Sequence, residues 1–344
     1  MRRPWFVIRG SALRWGGDTR RRYIFDALIR RAGARTTESW SRSAVSGAIG
    51  GRRFWQRRPF LAAAEIVSAP VAEVIRATAR PAVVDLHDEP VAAAAALGTP
   101  FDAETIARAR AAWTMNLELF PTLVVPTRSF AELCGLDARR TVVAPNGTDT
   151  THIQPAPLPD EPVVGLVSGA GPGRGIETLV EAARIARTVL PELRLALWLV
   201  GTSPAGQRYL DELKERLARE AWILVGTASY RRLPKSLART AVLCIPHPPD
   251  PYFDVALPVK LADSMAAGRP VVVTPRTETA TLVRAYDAGL VTDGDRAEDV
   301  ASALLRVLGD RALATRLGAN GRRAAMQHLD WSVVGGRLAD ALLK

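Results

Sequence analysis

A glycine-rich segment, SGAGPGRG at residues 168–175, follows an apolar run and precedes a helical pattern. Glycines such as Gly171 and Gly173 carry no Cβ, so the backbone there can pass close to a ligand. The first turn of the following helix offers free N–H groups and the positive end of the helix dipole, which suit a phosphate. Arg174 adds a guanidinium that can bind phosphate oxygens in a bidentate manner. We expect a phosphate-binding loop here; the alternative is an ordinary Gly–Pro turn that begins a helix.

The class of nucleotide fold is not decided by these glycines. A P-loop would end in Gly-Lys followed by Ser or Thr, and that sequence is absent. A dinucleotide-binding fold would carry an acidic residue about 20 positions further on. The next apolar run ends instead in Val200-Gly201.

A second segment, LPVKLADSMAAG at residues 257–268, predicts a helix that begins after Pro258 and ends at Gly268. Lys260 and Asp263 are three residues apart and therefore share one face of that helix. The Asp263 carboxylate could accept two hydrogen bonds from the 2′,3′-diol of a ribose. The alternative is a surface ion pair, which contributes little to stability.

Two further pairs of residues lie after predicted strands, where open α/β sheets bind ligands. His87-Asp88 follows the run Ala82–Leu86, and the alternative role for His87 is an ordinary loop histidine. Gly16-Gly17 follows the first apolar run and would let a loop turn tightly against a ligand. The alternative for that pair is a plain strand–helix turn.

No metal site is predicted. Asp293 and Asp295 form a DxD pattern, but Asp295 followed by Glu298 is better explained as a helix capping box. His152 and His247 lie beside prolines without the spacing of metal ligands. The two cysteines lie far apart and indicate neither a disulfide framework nor a zinc site.

Short apolar runs alternate with amphipathic helical patterns throughout the 344 residues, which predicts an α/β protein with parallel sheets. The predicted strands are 5–8, 82–86, 123–125, 141–143, 163–167, 195–200, 222–225, 242–245, 271–274 and 290–291. Several prolines between residues 145 and 162 indicate an interdomain linker with a boundary near residue 155. We therefore predict domains at 1–155 and 156–330, with a last helical segment at 331–344 that packs back on the first domain.

The net charge of +11 is concentrated at the beginning of the chain. Residues 1–60 contain fifteen arginines and three acidic residues, a net charge of +12. Such a patch implies an anionic partner, and nucleic acid is not expected because no recognition module is present. No run of about 18 uncharged apolar residues predicts a membrane span, and charges within the N-terminal residues argue against a signal peptide. The expected location is cytoplasmic.

The segment GRRFWQRRPF at residues 51–60 interleaves arginines with aromatic residues. Aromatic side chains can enter a membrane interface while arginines meet anionic headgroups. We expect this patch to contact an anionic membrane or an acceptor; the alternative is a solvated, arginine-rich loop. Its members are Arg52, Arg53, Trp55, Arg57 and Arg58.

Taken in order, these motifs resemble a glycosyltransferase of the GT-B fold, family 4 type, also called glycosyl transferases group 1. Gly16-Gly17 and His87-Asp88 are similar to two motifs of its first domain. The stretch VVPTRSFAELCGLDARRTVVAPNGTD resembles the end of that domain. GPGRGIETLVEA and PVKLADSMAAGRPVV resemble the phosphate loop and the donor-site helix. The likeness extends over about residues 120–335.

The resemblance implies two facing Rossmann-like domains with an interdomain cleft. It also implies a glycosyltransferase of polysaccharide or glycoconjugate biosynthesis that uses a nucleotide-diphosphate sugar as substrate, with no cofactor and no metal. By the same resemblance, Arg174 would hold the donor diphosphate and Asp263 its ribose. Asp254 and Lys260 are further expected donor-binding residues. His87, with Asp88, would approach the transferred sugar, and Gly16-Gly17 would pack near the phosphates. Transfer with retention to a glycan or a lipid-linked acceptor on the inner face of the membrane is the corresponding expectation.

This sequence departs from the family pattern at the donor sugar. The first of two family glutamates falls on Val255, with Asp254 displaced by one position, and the second is Asp263. The usual arginine and lysine of the phosphate loop are Ala170 and Arg174. These departures leave open a non-catalytic GT-B protein that binds or activates a partner glycosyltransferase. A sugar epimerase of the same fold is a third alternative.

Overall fold

The computed structural model describes residues 5–10, 13, 16–38, 41–43, 45–46 and 58–344. Within these residues the chain divides into two compact units, each built on its own sheet. The first unit comprises Met1–Ala93, Phe101–Asn146 and Trp331–Lys344. The second comprises Ala94–Pro100 and Gly147–Asp330.

The first unit contains a six-stranded parallel sheet with the spatial order β2-β1-β3-β4-β5-β6. The strands are β1 Trp5–Ile8, β2 Arg35–Thr37, β3 Phe60–Ala63, β4 Arg80–Asp85, β5 Thr122–Val125 and β6 Thr141–Val143. The helices are α1 Gly16–Tyr23, α2 Asp26–Ala32, α3 Ala69–Thr78, α4 Pro90–Ala96, α5 Ala103–Leu119, α6 Arg128–Leu133 and, at the end of the chain, α15 Trp331–Leu343. Residues 123–125 are almost completely buried, as expected for a central parallel strand.

The second unit contains another six-stranded parallel sheet, with the order β12-β11-β10-β7-β8-β9. Its strands are β7 Val163–Gly169, β8 Arg194–Val200, β9 Ile223–Gly226, β10 Val242–Ile245, β11 Val271–Val273 and β12 Gly289–Val291. Its helices are α7 Ile176–Val189, α8 Pro204–Leu217, α9 Leu233–Ala238, α10 Pro251–Val255, α11 Val259–Ala266, α12 Thr277–Ala285, α13 Ala297–Gly309 and α14 Arg311–Ala324. The α/β class with parallel sheets is therefore confirmed.

Local sequence explains where several helices begin. Asp102 accepts a hydrogen bond from the Thr105 N–H before α5, and Asp250 accepts one from the Tyr252 N–H before α10. These side chains satisfy backbone donors that have no partner within the helix. Two strands of the first unit, β2 and β3, were not predicted. The residues of β2, Arg-Thr-Thr at the edge of the sheet, carry no apolar pattern, and β3 contributes only Phe-Leu-Ala-Ala.

The main segment of the second unit begins at Gly147, earlier than the predicted boundary near residue 155. The Thr148 N–H donates to the carbonyl of Leu329 at 2.9 Å, so this segment is already part of the second unit. The proline-rich stretch is not a free linker. The buried Arg269 guanidinium donates to the Pro157 carbonyl at 3.0 and 3.1 Å and holds it against the unit. Prolines thus mark an extended segment here, not a hinge.

The last helix, α15, lies in the first unit. It packs on α2, and the rings of Tyr23 and Trp331 stack with their centroids 6.5 Å apart. Arg31 donates to the carbonyl of Gly336 at 3.2 Å and ties the two helices together. None of the helices in the described residues is both long and apolar enough to cross a membrane.

Candidate functional site

The glycine-rich loop joins β7 to α7 through a single turn of 3-10 helix at Pro172–Arg174. Gly175 follows with φ +70°, and a Cβ there would overlap the carbonyl oxygen of Pro246. A Cβ on Gly173 would overlap the Ala96 carbonyl oxygen, and one on Gly171 would lie 3.2 Å from the Leu97 carbonyl oxygen. These glycines therefore allow neighbouring backbone segments to pack closely. The contact of Gly171 and Gly173 with the segment 94–100 was not predicted.

Two basic side chains converge where β7 ends. The Arg174 guanidinium lies against Gly169, where an added Cβ would be 2.8 Å from Nη2. Lys260, from helix α11, donates from Nζ to Ser168 Oγ at 3.3 Å. Burial and the positive charge of Arg174 lower the pKa of Lys260 to about 7, while Cys244 opposes them. The structure thus brings Arg174 and Lys260, from segments far apart in sequence, to one end of the sheet.

His247 lies beside these two groups, just beyond β10. It is buried, and its ring stacks on Phe253 with centroids 4.4 Å apart. Burial, followed by the charges of Lys260, Arg174 and Arg276, lowers the pKa of His247 well below its usual range. His247 was predicted neither as a metal ligand nor as any other site residue. Its position directly after an apolar strand was the available signal.

Arg276 extends this basic group and binds two carboxylates. Its Nη2 donates to both Asp295 oxygens at 2.6 and 2.7 Å, and its Nη1 lies 3.3 Å from Asp254 Oδ1. Asp254, a predicted donor-site residue, is therefore oriented by a buried arginine. The predicted capping role of Asp295 is wrong. Helix α13 is capped instead at Arg296, whose N–H donates to the Asp299 carboxylate at 3.2 Å.

Asp263 is on the same helix as Lys260, but the two are not paired. Asp263 is buried and accepts a hydrogen bond from Thr148 Oγ1 at 2.8 Å. Burial raises its pKa to about 7; the Thr148 hydrogen bond opposes this shift and Asp149 adds to it. The spacing of three residues therefore does not join Lys260 and Asp263 in one contact, and the alternative of a surface ion pair is excluded.

The first unit carries a polar group at the carboxyl end of β4. Arg20 is completely buried and donates to both Asp85 oxygens at 2.8 and 2.6 Å. Its Nη1 also donates to the Ala144 carbonyl at 2.8 Å and to Asn146 Oδ1 at 3.1 Å. This arginine therefore links α1 to the segments that follow β4 and β6. It was not among the predicted site residues.

His87 and Asp88 lie beside this buried pair. His87 Nε2 is 3.0 Å from Asp88 Oδ2. Burial lowers the pKa of His87, but the charge and hydrogen bond of Asp88, together with Asp85, outweigh burial and the opposing Arg20, so the net shift is upward.

The remaining predicted residues have different outcomes. Gly16 and Gly17 are the first two residues of α1, not part of a loop that precedes it. Arg52, Arg53, Trp55 and Arg57 lie outside the described residues. Arg58 is exposed and donates to the Arg76 carbonyl at 3.3 Å.

No group of three or more His, Cys, Asp or Glu side chains in the described part of the chain is placed to hold a metal ion. A cavity of about 640 Å³ lies beside β9 and is lined by Trp198, Trp222 and Leu224, among others. None of the predicted site residues lines it, so the cavity is separate from the basic group at the end of β7.

The family model for glycosyl transferases group 1 matches residues 161–310, which include the glycine-rich loop, Lys260 and Asp263. This part of the chain is similar to the group 1 glycosyl transferases. Solved structures share the fold along the length of the chain. Anabaena HepE in complex with UDP and glucose has a TM-score of 0.74 at 16% identity and covers 100% of both chains. Sucrose-phosphate synthase from Thermosynechococcus elongatus has a TM-score of 0.70 at 18% identity and covers 99% of both. The fold is GT-B.

Curated relatives share about 29% identity with this chain. A GDP-mannose-dependent alpha-(1-6)-phosphatidylinositol monomannoside mannosyltransferase from Mycobacterium tuberculosis is 29% identical over 221 residues, 58% of this chain and 54% of the relative. A D-inositol 3-phosphate glycosyltransferase from Nocardia farcinica is 28% identical over 206 residues, 56% of this chain and 45% of the relative. The matches thus span about half the length of these relatives.

Proposed function

We propose that this protein transfers a sugar from a nucleotide-diphosphate donor to an acceptor. The observation that carries the proposal is the group of Arg174, Lys260 and the α7 N-terminus at the carboxyl end of β7. Ligands of open parallel sheets bind at this end, and the first turn of a helix favours a phosphate. The group lies within the segment that matches the family.

The chemistry follows from the leaving group. When the bond between the sugar and the diphosphate breaks, negative charge develops on the diphosphate. Fixed positive groups stabilise that charge in the transition state, and in this proposal Arg174 and Lys260 supply it without a metal. Asp263 accepts the ribose hydroxyls, and Asp254, held by Arg276, accepts a hydroxyl of the donor sugar. Retention of the anomeric configuration belongs to the same proposal.

In the first unit, His87 and Asp88 are the proposed residues for the transferred sugar, and Gly16-Gly17 for the phosphates. Asp88 holds the His87 ring through Nε2 and raises its pKa, so the imidazole is charged over a wider pH range than a free histidine. A charged imidazole can donate a hydrogen bond to a sugar hydroxyl. The buried Arg20–Asp85 pair supports the strand end that carries it.

The printed names of the relatives suggest which substrates to try. Mannosyltransferases that use GDP-mannose and act on a phosphatidylinositol mannoside are similar to this chain, and a neighbour of the same fold was solved with UDP-glucose. We propose a glycan or lipid-linked acceptor, with the basic segment at residues 51–60 contacting an anionic membrane on its cytoplasmic face. Binding to vesicles that contain phosphatidylinositol, at physiological salt, tests that contact.

Thermal shift with UDP, GDP, ADP and dTDP tests the donor site. We expect one nucleotide to stabilise the wild type but neither Arg174→Ala nor Asp263→Ala. Arg306→Ala, a change at an exposed arginine of the same unit, is the control and should respond like the wild type. The nucleotide that stabilises the wild type decides which donor sugar, GDP-mannose or UDP-glucose, is used in a turnover assay with lipid acceptors. Stabilisation by no nucleotide would refute the proposal, whereas binding without turnover would favour the non-catalytic alternative.

A further inference from the structure

His247 directly follows β10 and is held by the start of α7 and by the segment after β11. Pro246, directly after β10, presses its carbonyl against Gly175 at the start of α7, so closely that only glycine fits there. The backbone carbonyl of His247 accepts a hydrogen bond from Thr274 Oγ1 at 2.6 Å, just beyond β11. The backbone of His247 is therefore fixed between the phosphate loop and the loop that follows β11.

The side chain is equally constrained, yet its hydrogen bonding is incomplete. The imidazole is only 4% exposed and stacks on Phe253, which is itself buried. Its Nδ1 is buried and has no hydrogen-bond partner in the described part of the protein. An unsatisfied buried polar atom costs free energy and calls for a specific explanation. His152, in the same unit, shows the usual arrangement, because its Nε2 is 3.0 Å from the carbonyl oxygen of Tyr230.

The charged groups around His247 indicate what kind of ligand would bind its unpartnered Nδ1. Lys260, Arg174 and Arg276 all act on its protonation, and all three are cationic side chains. With burial they keep the imidazole neutral, so one ring nitrogen carries a proton and the other does not. A neutral N–H among cations can donate to an anion without adding another positive charge to the site.

We propose that His247 is a donor-site residue that hydrogen-bonds the diphosphate of the nucleotide-sugar, with Phe253 fixing the plane of its ring. The inference rests on the proposed function and adds a residue to the same site. Arg174 and Lys260 attract the diphosphate through charge, whereas His247 supplies a directed hydrogen bond. Its hydrogen bonding is then completed only in the bound state.

The experiment compares three variants of the full chain by calorimetric titration. The titrant is whichever of UDP, GDP, ADP and dTDP stabilises the wild type in the thermal-shift panel. His247→Phe keeps the ring and its stacking on Phe253 but removes both nitrogens. His247→Asn restores a polar group near the position of Nδ1. His152→Phe is the matched control, because that histidine packs on Tyr230 away from the basic group.

We expect His247→Phe to weaken nucleotide binding by about tenfold, the effect of losing one hydrogen bond to a charged group. His247→Asn should recover part of that loss, and His152→Phe should bind like the wild type. Without ligand, His247→Phe should melt no lower than the wild type, because it removes an unsatisfied buried nitrogen. A purely structural histidine would instead lower the melting temperature and leave the affinity of the remaining folded protein unchanged.

The outcomes separate this inference from the proposed function. If the wild type binds the nucleotide, Arg174→Ala abolishes binding and His247→Phe binds with wild-type affinity, the role of His247 is refuted while the donor site stands. If the wild type binds no nucleoside diphosphate at all, the proposed function is refuted and this inference with it.

Discussion

Lys260 should make nucleotide binding depend on pH. Its ammonium group donates to Ser168 Oγ at 3.3 Å and lies close to Arg174. Burial and that arginine lower its pKa to about 7, so about half of the free protein carries a neutral Lys260 at pH 7. A bound diphosphate favours the charged form and returns the pKa towards its ordinary range. Binding above pH 7 therefore requires the uptake of a proton.

The size of the effect follows from this linkage. Below about pH 6 the lysine is already charged, so it adds no pH dependence. Above pH 7 the cost approaches about 1.4 kcal/mol for each pH unit, which is a tenfold loss of affinity. Between pH 7 and pH 9 the dissociation constant of the nucleoside diphosphate should rise by about 50-fold. The phosphates themselves are fully ionised there, because their last pKa is about 6.

Calorimetric titration measures both consequences. Dissociation constants are determined from pH 6 to pH 9, and at pH 8 the heat in two buffers of different ionisation enthalpy gives the proton uptake, expected to be about one proton. Lys260→Arg keeps a charge at every pH and should remove the slope. Lys214→Arg, at an exposed lysine of the same unit, should keep it. A wild-type affinity that does not change between pH 7 and pH 9, or a slope that persists in Lys260→Arg, would refute the reasoning.

Three further predictions concern residues that each lie within one of the two units. Arg20→Met should lower the free energy of unfolding by about 3–5 kcal/mol in urea denaturation, because it leaves the buried Asp85 carboxylate without its partner; no loss would contradict this. Gly173→Ala should destabilise the second unit and abolish nucleotide binding, whereas Gly309→Ala, with open space around its Cα, should be neutral or stabilising by up to about 1 kcal/mol in the same thermal assay. Because burial raises the pKa of Asp263 to about 7, the free energy of unfolding should decrease as the pH rises from 4 to 7, by up to about 1.4 kcal/mol per pH unit. Asp263→Asn should remove this part of the pH dependence. The same pH profile in Asp263→Asn and the wild type would contradict the prediction.

Much of the fold could be predicted from pattern alone. The helical pattern predicted after the glycine-rich segment is α7 at Ile176–Val189, and the strand predicted at 141–143 is β6. Continuous apolar runs predict these strands well, because both faces of a parallel strand are buried. The polar edge strand β2 and the proline-rich segment were misjudged, since the first depends on its neighbour and the second on the guanidinium of Arg269.

The candidate site was predicted less completely. Arg174 and Lys260 were named from motifs, and the structure brings both to the end of β7. His247 and Arg276 were missed as site residues because neither lies in a motif. The glycines were predicted to let the backbone pass close to a ligand, and the structure shows that Gly173 packs against the backbone of Ala96.

The sequence by itself determined most of the strands and helices, although not β2 and β3, because these depend on residues close along the chain. For the same reason it could indicate a phosphate-binding loop. Only the tertiary structure decided which charges meet. Arg174, His247 and Arg276 follow β7, β10 and β11, and the parallel order β11-β10-β7 brings those strand ends together. Lys260 joins them from helix α11, which lies between β10 and β11 in the chain. Burial then lowers the pKa of Lys260 and raises the pKa of Asp263, although the two residues are only three positions apart on one helix. Neighbours in space and distance from water are properties of the folded chain, and no local pattern contains them.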